Sequence, residues 1–447
     1  MLKCIAIVAC LTFASVAFAG APLRLPDDRP FVGVYYFGHW WAPWTTDDDR
    51  IRKDCEGLRK MGVSVLCTDH EWSQAIDGDW KWLDREHRIA KETGVQILPW
   101  LSLKCWGDVA NEDRMALMKE WYGVDLARTE VQDGSPGGLL LWDEETIKAG
   151  AAYASEYIDR YRDQALLHVM WDGEARPVVA LSVELAWLGG FDALTTERFR
   201  TWLRARHGSL KAINEAWGTS FTRVYQIDPK DTTVFDYANH QAGVSKHPQA
   251  VEDHIEFRSQ TISESLGRQA ELLRQTHPDV LILAELPYQL ASQHEHAEAY
   301  RIAYAANPSC TRSADILFLR CTGPLNQSEA EYLAEWMADT GQPVILTYRT
   351  YSDWCNERTL SETRKSAKLY GEQAAQWGNG FGFYSYNEMV DTHLAPSRPE
   401  DTGHNGPLTP EQSERGLDLM GRMIGTYLRN AAPRSRQDRV RRRGGNN

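Results

Sequence analysis

Glu184, in Leu181-Ser182-Val183-Glu184, ends an apolar run of the kind that forms a buried strand. In a closed ring of parallel strands the side chains at the carboxyl ends line the mouth, where a carboxylate serves acid–base chemistry rather than packing. Glu285, in Ala284-Glu285-Leu286-Pro287, ends the following run in the same way. Glu388, after Tyr386-Asn387, and the Asp69-His70-Glu71 triplet follow two further runs. Two carboxyl groups facing one anomeric carbon can hydrolyse a glycoside: one protonates the leaving oxygen and the other acts as base or nucleophile. Each of these acids could equally be a structural hydrogen-bonder. Tyr348, near the end of a seventh run, offers a different nucleophile, since some glycosidases use tyrosine beside a carboxylate base. Arg320 and Arg349 end runs six and seven, where they could grip an acidic sugar through bidentate contacts or pair with Glu285 or Glu388.

Aromatic residues gather at the same run ends: Trp40 and Trp41 beside His39, then Trp72, Trp100 and Trp187, then Tyr386 beside Asn387. Flat rings edged by polar groups suit the faces of sugars, although large aromatics also build cores. With His70, Glu71, Arg320 and Arg349 they make up the expected sugar-binding lining. His39, His70 and Asp69 sit on different run ends without the i,i+4 spacing of a helical metal motif, so neither a metal nor a cofactor is expected.

These residues need a scaffold of eight strands. The candidates are Phe31–Phe37, Val63–Thr68, Val95–Pro99, Val178–Val183, Val280–Ala284, Asp315–Leu319, Pro343–Tyr348 and Phe381–Tyr386. They are near-continuous apolar runs, as expected of parallel strands covered on both faces. Helical periodicity fills Asp48–Met61, Trp82–Thr93, Asp143–Arg162, Glu252–Thr276, Ser328–Thr340, Leu360–Trp377 and Glu411–Leu428. Eight strands in alternation with these helices predict an α/β fold, a (β/α)8 TIM barrel, with long insertions after strands 3 and 4 that wall the cleft. An open doubly wound sheet is disfavoured because no Gly-rich phosphate loop follows the first strand.

Met-Leu-Lys, an apolar run to Phe18 and Ala17-Phe18-Ala19 read as a secretory signal peptide over 1–19, cut near Ala19. The barrel is then expected over 20–430 and a basic disordered tail over 431–447, with export to the periplasm or the cell exterior. No later stretch approaches the ~20 apolar residues of a membrane span. The net charge of −13 argues against nucleic acid as a partner. Six cysteines lie beyond residue 19, none with CxxC spacing; Cys310 and Cys321 are the pair closest in sequence. Asn326-Gln327-Ser328 matches a glycosylation sequon.

Several segments resemble the catalytic domain of family 42 glycoside hydrolases, the β-galactosidase group of the retaining barrel clan. They are Tyr35-Tyr36-Phe37-Gly38-His39-Trp40-Trp41 with the helix leading to Gly62-Val63, and Asp79-Trp80-Lys81-Trp82-Leu83-Asp84. The most specific are Phe199-Arg200-Thr201-Trp202-Leu203 and Asn214-Glu215-Ala216-Trp217-Gly218-Thr219-Ser220-Phe221. The resemblance covers roughly residues 31–285 and implies a barrel glycosidase in which Glu184 is the general acid/base. Val183 stands where the family has Asn, and the family's strand-seven glutamate position falls on Tyr348. The partner of Glu184 is then expected from another strand end, Glu285 first. The alternative is a non-catalytic carbohydrate-binding barrel derived from a glycosidase.

Overall fold

The computed structural model describes residues 22–38, 46–71, 80–102, 128–134, 136–181, 189–286, 308–321, 323–349, 360–390 and 409–431. Eight parallel strands close on themselves: β1 (Val32–Tyr35), β2 (Val65–Glu71), β3 (Gln96–Ser102), β4 (Glu174–Leu181), β5 (Leu281–Leu286), β6 (Ile316–Cys321), β7 (Val344–Arg349) and β8 (Gly380–Tyr384). Each pairs with the next, and β8 returns to β1 with Val32 beside Phe381. The chain is a (β/α)8 barrel, as the eight apolar runs imply.

Around it run α1 (Asp48–Met61), α2 (Lys81–Thr93), α3 (Glu144–Tyr161), α4 (Ala193–His207), α5 (Leu210–Trp217), α6 (Tyr237–Gln241), α7 (Pro248–Thr276), α8 (Gln327–Thr340), α9 (Leu360–Trp377), α10 (Tyr386–Val390) and α11 (Pro410–Ala431). Local chemistry sets their ends. The Asp47 side chain accepts from the amides of Asp49 and Arg50 to open α1, and Gly62 closes it at φ 103°, a left-handed turn that suits glycine. Asn326, the sequon asparagine, is the cap of α8 and forms a reciprocal box with Glu329.

Strand periodicity splits the barrel residues into two cores. Tyr35, Phe37, Val65, Cys67, Leu98, Trp100, Val178, Ala180, Leu281, Leu283, Ile316, Phe318 and Ile345 fill the interior. Their neighbours Val34, Tyr36, Leu66, Leu317, Leu319, Leu346, Tyr348 and Phe383 face the helices. Leu23 and Leu25 join the interior cluster; the Leu23 amide bonds the Asn379 carbonyl at 2.7 Å, so this short segment covers the barrel floor.

One feature departs from the sequence reading. β4 begins four residues early, because His168–Trp171 folds back on it as an antiparallel hairpin. The turn is Asp172-Gly173, both at positive φ, a hairpin dipeptide visible in the sequence. Cys310 and Cys321 are free thiols, as are Cys55 and Cys67, and all four are buried. Cys321 faces the helical layer from β6, while Cys310 packs under α7 with its Sγ 2.9 Å from Ser259 Oγ. No helix among the described residues is long and apolar enough to cross a membrane.

Candidate active site

The carboxyl end of the barrel gathers Glu285, Arg320, Tyr35, Trp100 and Tyr384 around the axis. Glu285 follows Leu281 and Leu283 on the inward face of β5, and Arg320 follows Ile316 and Phe318 on β6. Register places Glu285 beside Phe318 and Arg320 beside Thr347. Glu285 is 1% exposed and Arg320 7%. An Arg320 Nη2–Glu285 Oε1 ion pair joins them. The Tyr35 hydroxyl donates to the same Oε1 at 2.5 Å, and Arg320 Nη2 donates to the Tyr35 oxygen at 3.2 Å.

A buried carboxylate is tolerable only when paired and hydrogen-bonded, and this one is both. The rings complete the enclosure. The Arg320 guanidinium carbon lies 5.3 Å from the Tyr35 ring centre and 5.2 Å from that of Tyr384. Trp100 packs 5.0 Å from Tyr35 and edge-on to Phe318 at 5.2 Å. Burial pushes the Tyr35 phenol well above its usual pKa; Arg320 opposes that shift and Glu285 adds to it. The Cys67 thiol is likewise pushed up by burial and then by the Glu285 charge. Both stay neutral. Asp69 shares the parity of Val65 and Cys67 and is half-buried beside Trp100 in the β2–β3 register. Among the described residues no group of His, Cys, Asp or Glu is arranged to hold a metal ion.

Other candidates sit elsewhere. Tyr348 is fully buried against Tyr370 and Phe381 in the sheet–helix layer, with its hydroxyl unpartnered. It points away from the axis, so it is a packing tyrosine rather than a nucleophile at the mouth. His70 also faces outward: its Nε2 meets Glu86 Oε2 at 2.5 Å and its Nδ1 meets the Tyr157 hydroxyl. Tyr386 donates to Asp54 of α1 at 2.9 Å, and Asn387 Oδ1 accepts from the Phe37 amide at 2.6 Å. These three fasten strand ends to the helical shell. Glu184, His39, Trp40, Trp41, Trp72 and Trp187 lie outside the described residues, as do the side chains of Glu71, Arg349 and Glu388. Tyr35 and Tyr384 were missed as site residues; the inward parity of Tyr35 is readable only once β1 is registered against its neighbours.

The segment leaving β4 is anchored where it returns. Thr129 donates to Asp192 Oδ2 at 2.9 Å and accepts from the Gly190 amide at 2.7 Å. Asp192 caps α4 through the Thr195 amide at 2.8 Å. Beyond it, α4, α5 and α7 close a separate apolar cluster around Phe199, Ile213, Trp217 and Phe235. Here the Asn-x-x-Trp-Gly segment has a structural role. Asn214 bonds both the amide and the carbonyl of Phe221, Trp217 Nε1 donates to buried Asp253 at 2.8 Å, and Gly218 ends α5 at φ 68°.

This region carries the family signal. Residues 189–311 match the glycoside hydrolase family 42 model, described as beta-galactosidase. Beta-galactosidase Bga of Halorubrum lacusprofundi is 32% identical over 262 residues, 56% of this chain and 33% of that protein. The beta/alpha-amylase of Paenibacillus polymyxa is 28% identical over 205 residues, 40% of this chain and 17% of that protein. The matches thus span less than half the length of these curated relatives. In three dimensions the catalytic domain of the P. polymyxa beta-amylase superposes with TM-score 0.58 at 16% identity, covering 87% of this chain and 97% of that one. The Halorubrum lacusprofundi β-galactosidase gives TM-score 0.58 at 14% identity, over 91% and 58%. The match over 189–311 and these relatives make this chain similar to the family 42 glycosidases, and the superpositions show that the barrel fold is shared.

Proposed function

We propose that this protein is an exported glycoside hydrolase that cleaves an O-glycosidic bond of an oligo- or polysaccharide. Glu184 gives a proton to the leaving oxygen, and Glu285 acts on the opposite side as base or nucleophile, so that one water is consumed per bond broken. The observation that carries this reading is the buried Glu285 carboxylate, aimed at the barrel axis on the strand next to β4, the strand that Glu184 follows in the sequence. The relatives named β-galactosidase and β-amylase support a carbohydrate substrate, and the leader-like residues 1–19 support export. A uronate-binding role for Arg320 is disfavoured, because Glu285 already neutralises its charge.

The experiment is turnover of a panel of aryl glycosides and oligosaccharides by the wild type, Glu184→Gln and Glu285→Gln. Hydrolysis by the wild type that both variants lose is the expected result. Full activity in either variant removes that residue from the reaction, and sugar binding without hydrolysis in the wild type leaves a carbohydrate-binding barrel instead.

A further inference from the structure

Glu285 is held from two other strands, more firmly than a carboxyl that must give up a proton in each cycle. We infer that Tyr35 and Arg320 are positioning residues that keep Glu285 as the ionised member of the reacting pair. The inference rests on the reading of Glu285 as the second carboxylate. Both donors converge on a single oxygen, Oε1, with the Tyr35 hydroxyl at 2.5 Å and the Arg320 guanidinium in direct contact. Their bond to each other, 3.2 Å from Arg320 Nη2 to the Tyr35 oxygen, closes a triangle that fixes the carboxyl plane. The tyrosine rings of β1 and β8 flank the guanidinium at cation–π distance and limit its rotation.

Protonating Glu285 would remove its charge from the ion pair with buried Arg320 and turn a charge-assisted bond from Tyr35 into a neutral one. The neighbouring cation opposes that proton, against the burial of Glu285. The titratable and charged groups on the inward face near it are Tyr35 from β1, Cys67 and Asp69 from β2, Arg320 from β6 and Tyr384 from β8. Tyr35 and Cys67 stay neutral, so among the described side chains Arg320 is the cation of the group. Two carboxyls in one site do different work when their environments favour different protonation states. The clamp therefore assigns Glu285 the base or nucleophile role and leaves proton donation to Glu184.

The test compares the full chain as wild type, Tyr35→Phe, Arg320→Lys and Glu285→Gln. It reads kcat and KM against pH on a cleaved aryl glycoside, and follows glutamate carboxyl 13C shifts, with Glu285→Gln assigning the Glu285 signal. Tyr35→Phe is expected to lower kcat roughly 10- to 100-fold with KM changed less than about three-fold. Its acid limb should move up by about one pH unit, and the Glu285 carboxyl should titrate at correspondingly higher pH. Arg320→Lys keeps a cation but loses the planar fork, and should move both readings in the same direction. The clamp is overturned if Tyr35→Phe, a single-hydroxyl change that serves even should Arg320→Lys not fold, leaves kcat, the acid limb and the Glu285 titration at wild-type values. Full activity in Glu285→Gln would refute the catalytic role of Glu285. The 13C titration would still decide whether Tyr35 and Arg320 hold it ionised.

Discussion

Acid should unfold this protein before its carboxylates protonate, and His87 is one cause. Its ring stacks on Tyr161 at 3.8 Å between α2 and α3, and it is 1% exposed. With both imidazoles neutral, His70 donates from Nε2 to Glu86, the Tyr157 hydroxyl donates to His70 Nδ1, and His87 donates from Nε2 to the Tyr157 oxygen at 2.6 Å. His87 Nδ1 is then a bare nitrogen without a partner. A second proton there would be a buried, unpaired donor on a buried charge. Burial, and then His70, hold the His87 pKa well below the ordinary histidine value.

The sign follows. The unfolded chain binds this proton near pH 6.5 and the folded one does not, so the stability it contributes is complete above that pH and is lost as pH falls towards the folded pKa. The slope is about 1.4 kcal/mol per pH unit, or roughly 2 kcal/mol by pH 5, against a typical total of ~5–15 kcal/mol. Buried His254 is lowered by burial and by Arg258, and adds a second slope of the same sign. Urea unfolding followed by tryptophan fluorescence at pH 5.0, 6.0 and 7.5 in constant salt measures the slope. His87→Gln should be less stable at pH 7.5 yet lose about 1.4 kcal/mol less per pH unit below 6.5. Equal slopes in wild type and His87→Gln would refute the reasoning.

Three further outcomes are expected. Gly382→Ala would put a Cβ 2.1 Å from Thr347 Oγ1 inside the barrel, costing about 1–3 kcal/mol in thermal unfolding, and the added Thr347→Ala change should recover most of it. Asp192→Ala removes the α4 cap and leaves the buried Thr129 and Thr195 hydroxyls without their acceptor. It should cost about 1–3 kcal/mol in urea unfolding, whereas Asp192→Asn, which keeps one acceptor, costs less. Tyr348→Phe deletes only an unpartnered hydroxyl in the helical layer, so kcat and Tm should stay within error of wild type; a loss of kcat would return that tyrosine to the mouth.

The barrel was legible because eight apolar runs recur along the chain with helical stretches between most of them, and helices such as Asp48–Met61 and Leu360–Trp377 fall on their predicted residues. The strand-end candidates were less legible. Parallel strands buried on both faces read as continuous apolar runs, which hides the two-residue alternation. Glu285 and Arg320 face the axis, while His70 and Tyr348 face the helices; one position of phase decides between a site and a packing layer. The Arg320–Glu285 pair was one of two readings open in the sequence, and the adjacency of β5 and β6 selects it. Tyr35 was hidden because its partner lies 250 residues away. The Asn214–Phe221 signature was readable as a family mark, and in the fold its Trp217 holds α5 against α7.

The most direct measurement is a crystal structure of the Glu184→Gln protein with an oligosaccharide bound. The account predicts the glycosidic oxygen within about 3 Å of the side chain at position 184, with Glu285 across the anomeric carbon. The two side chains should stand about 5–5.5 Å apart for retention or about 6.5–9.5 Å apart for inversion. A sugar bound away from the axis, or a side chain at position 184 turned from Glu285, would contradict it.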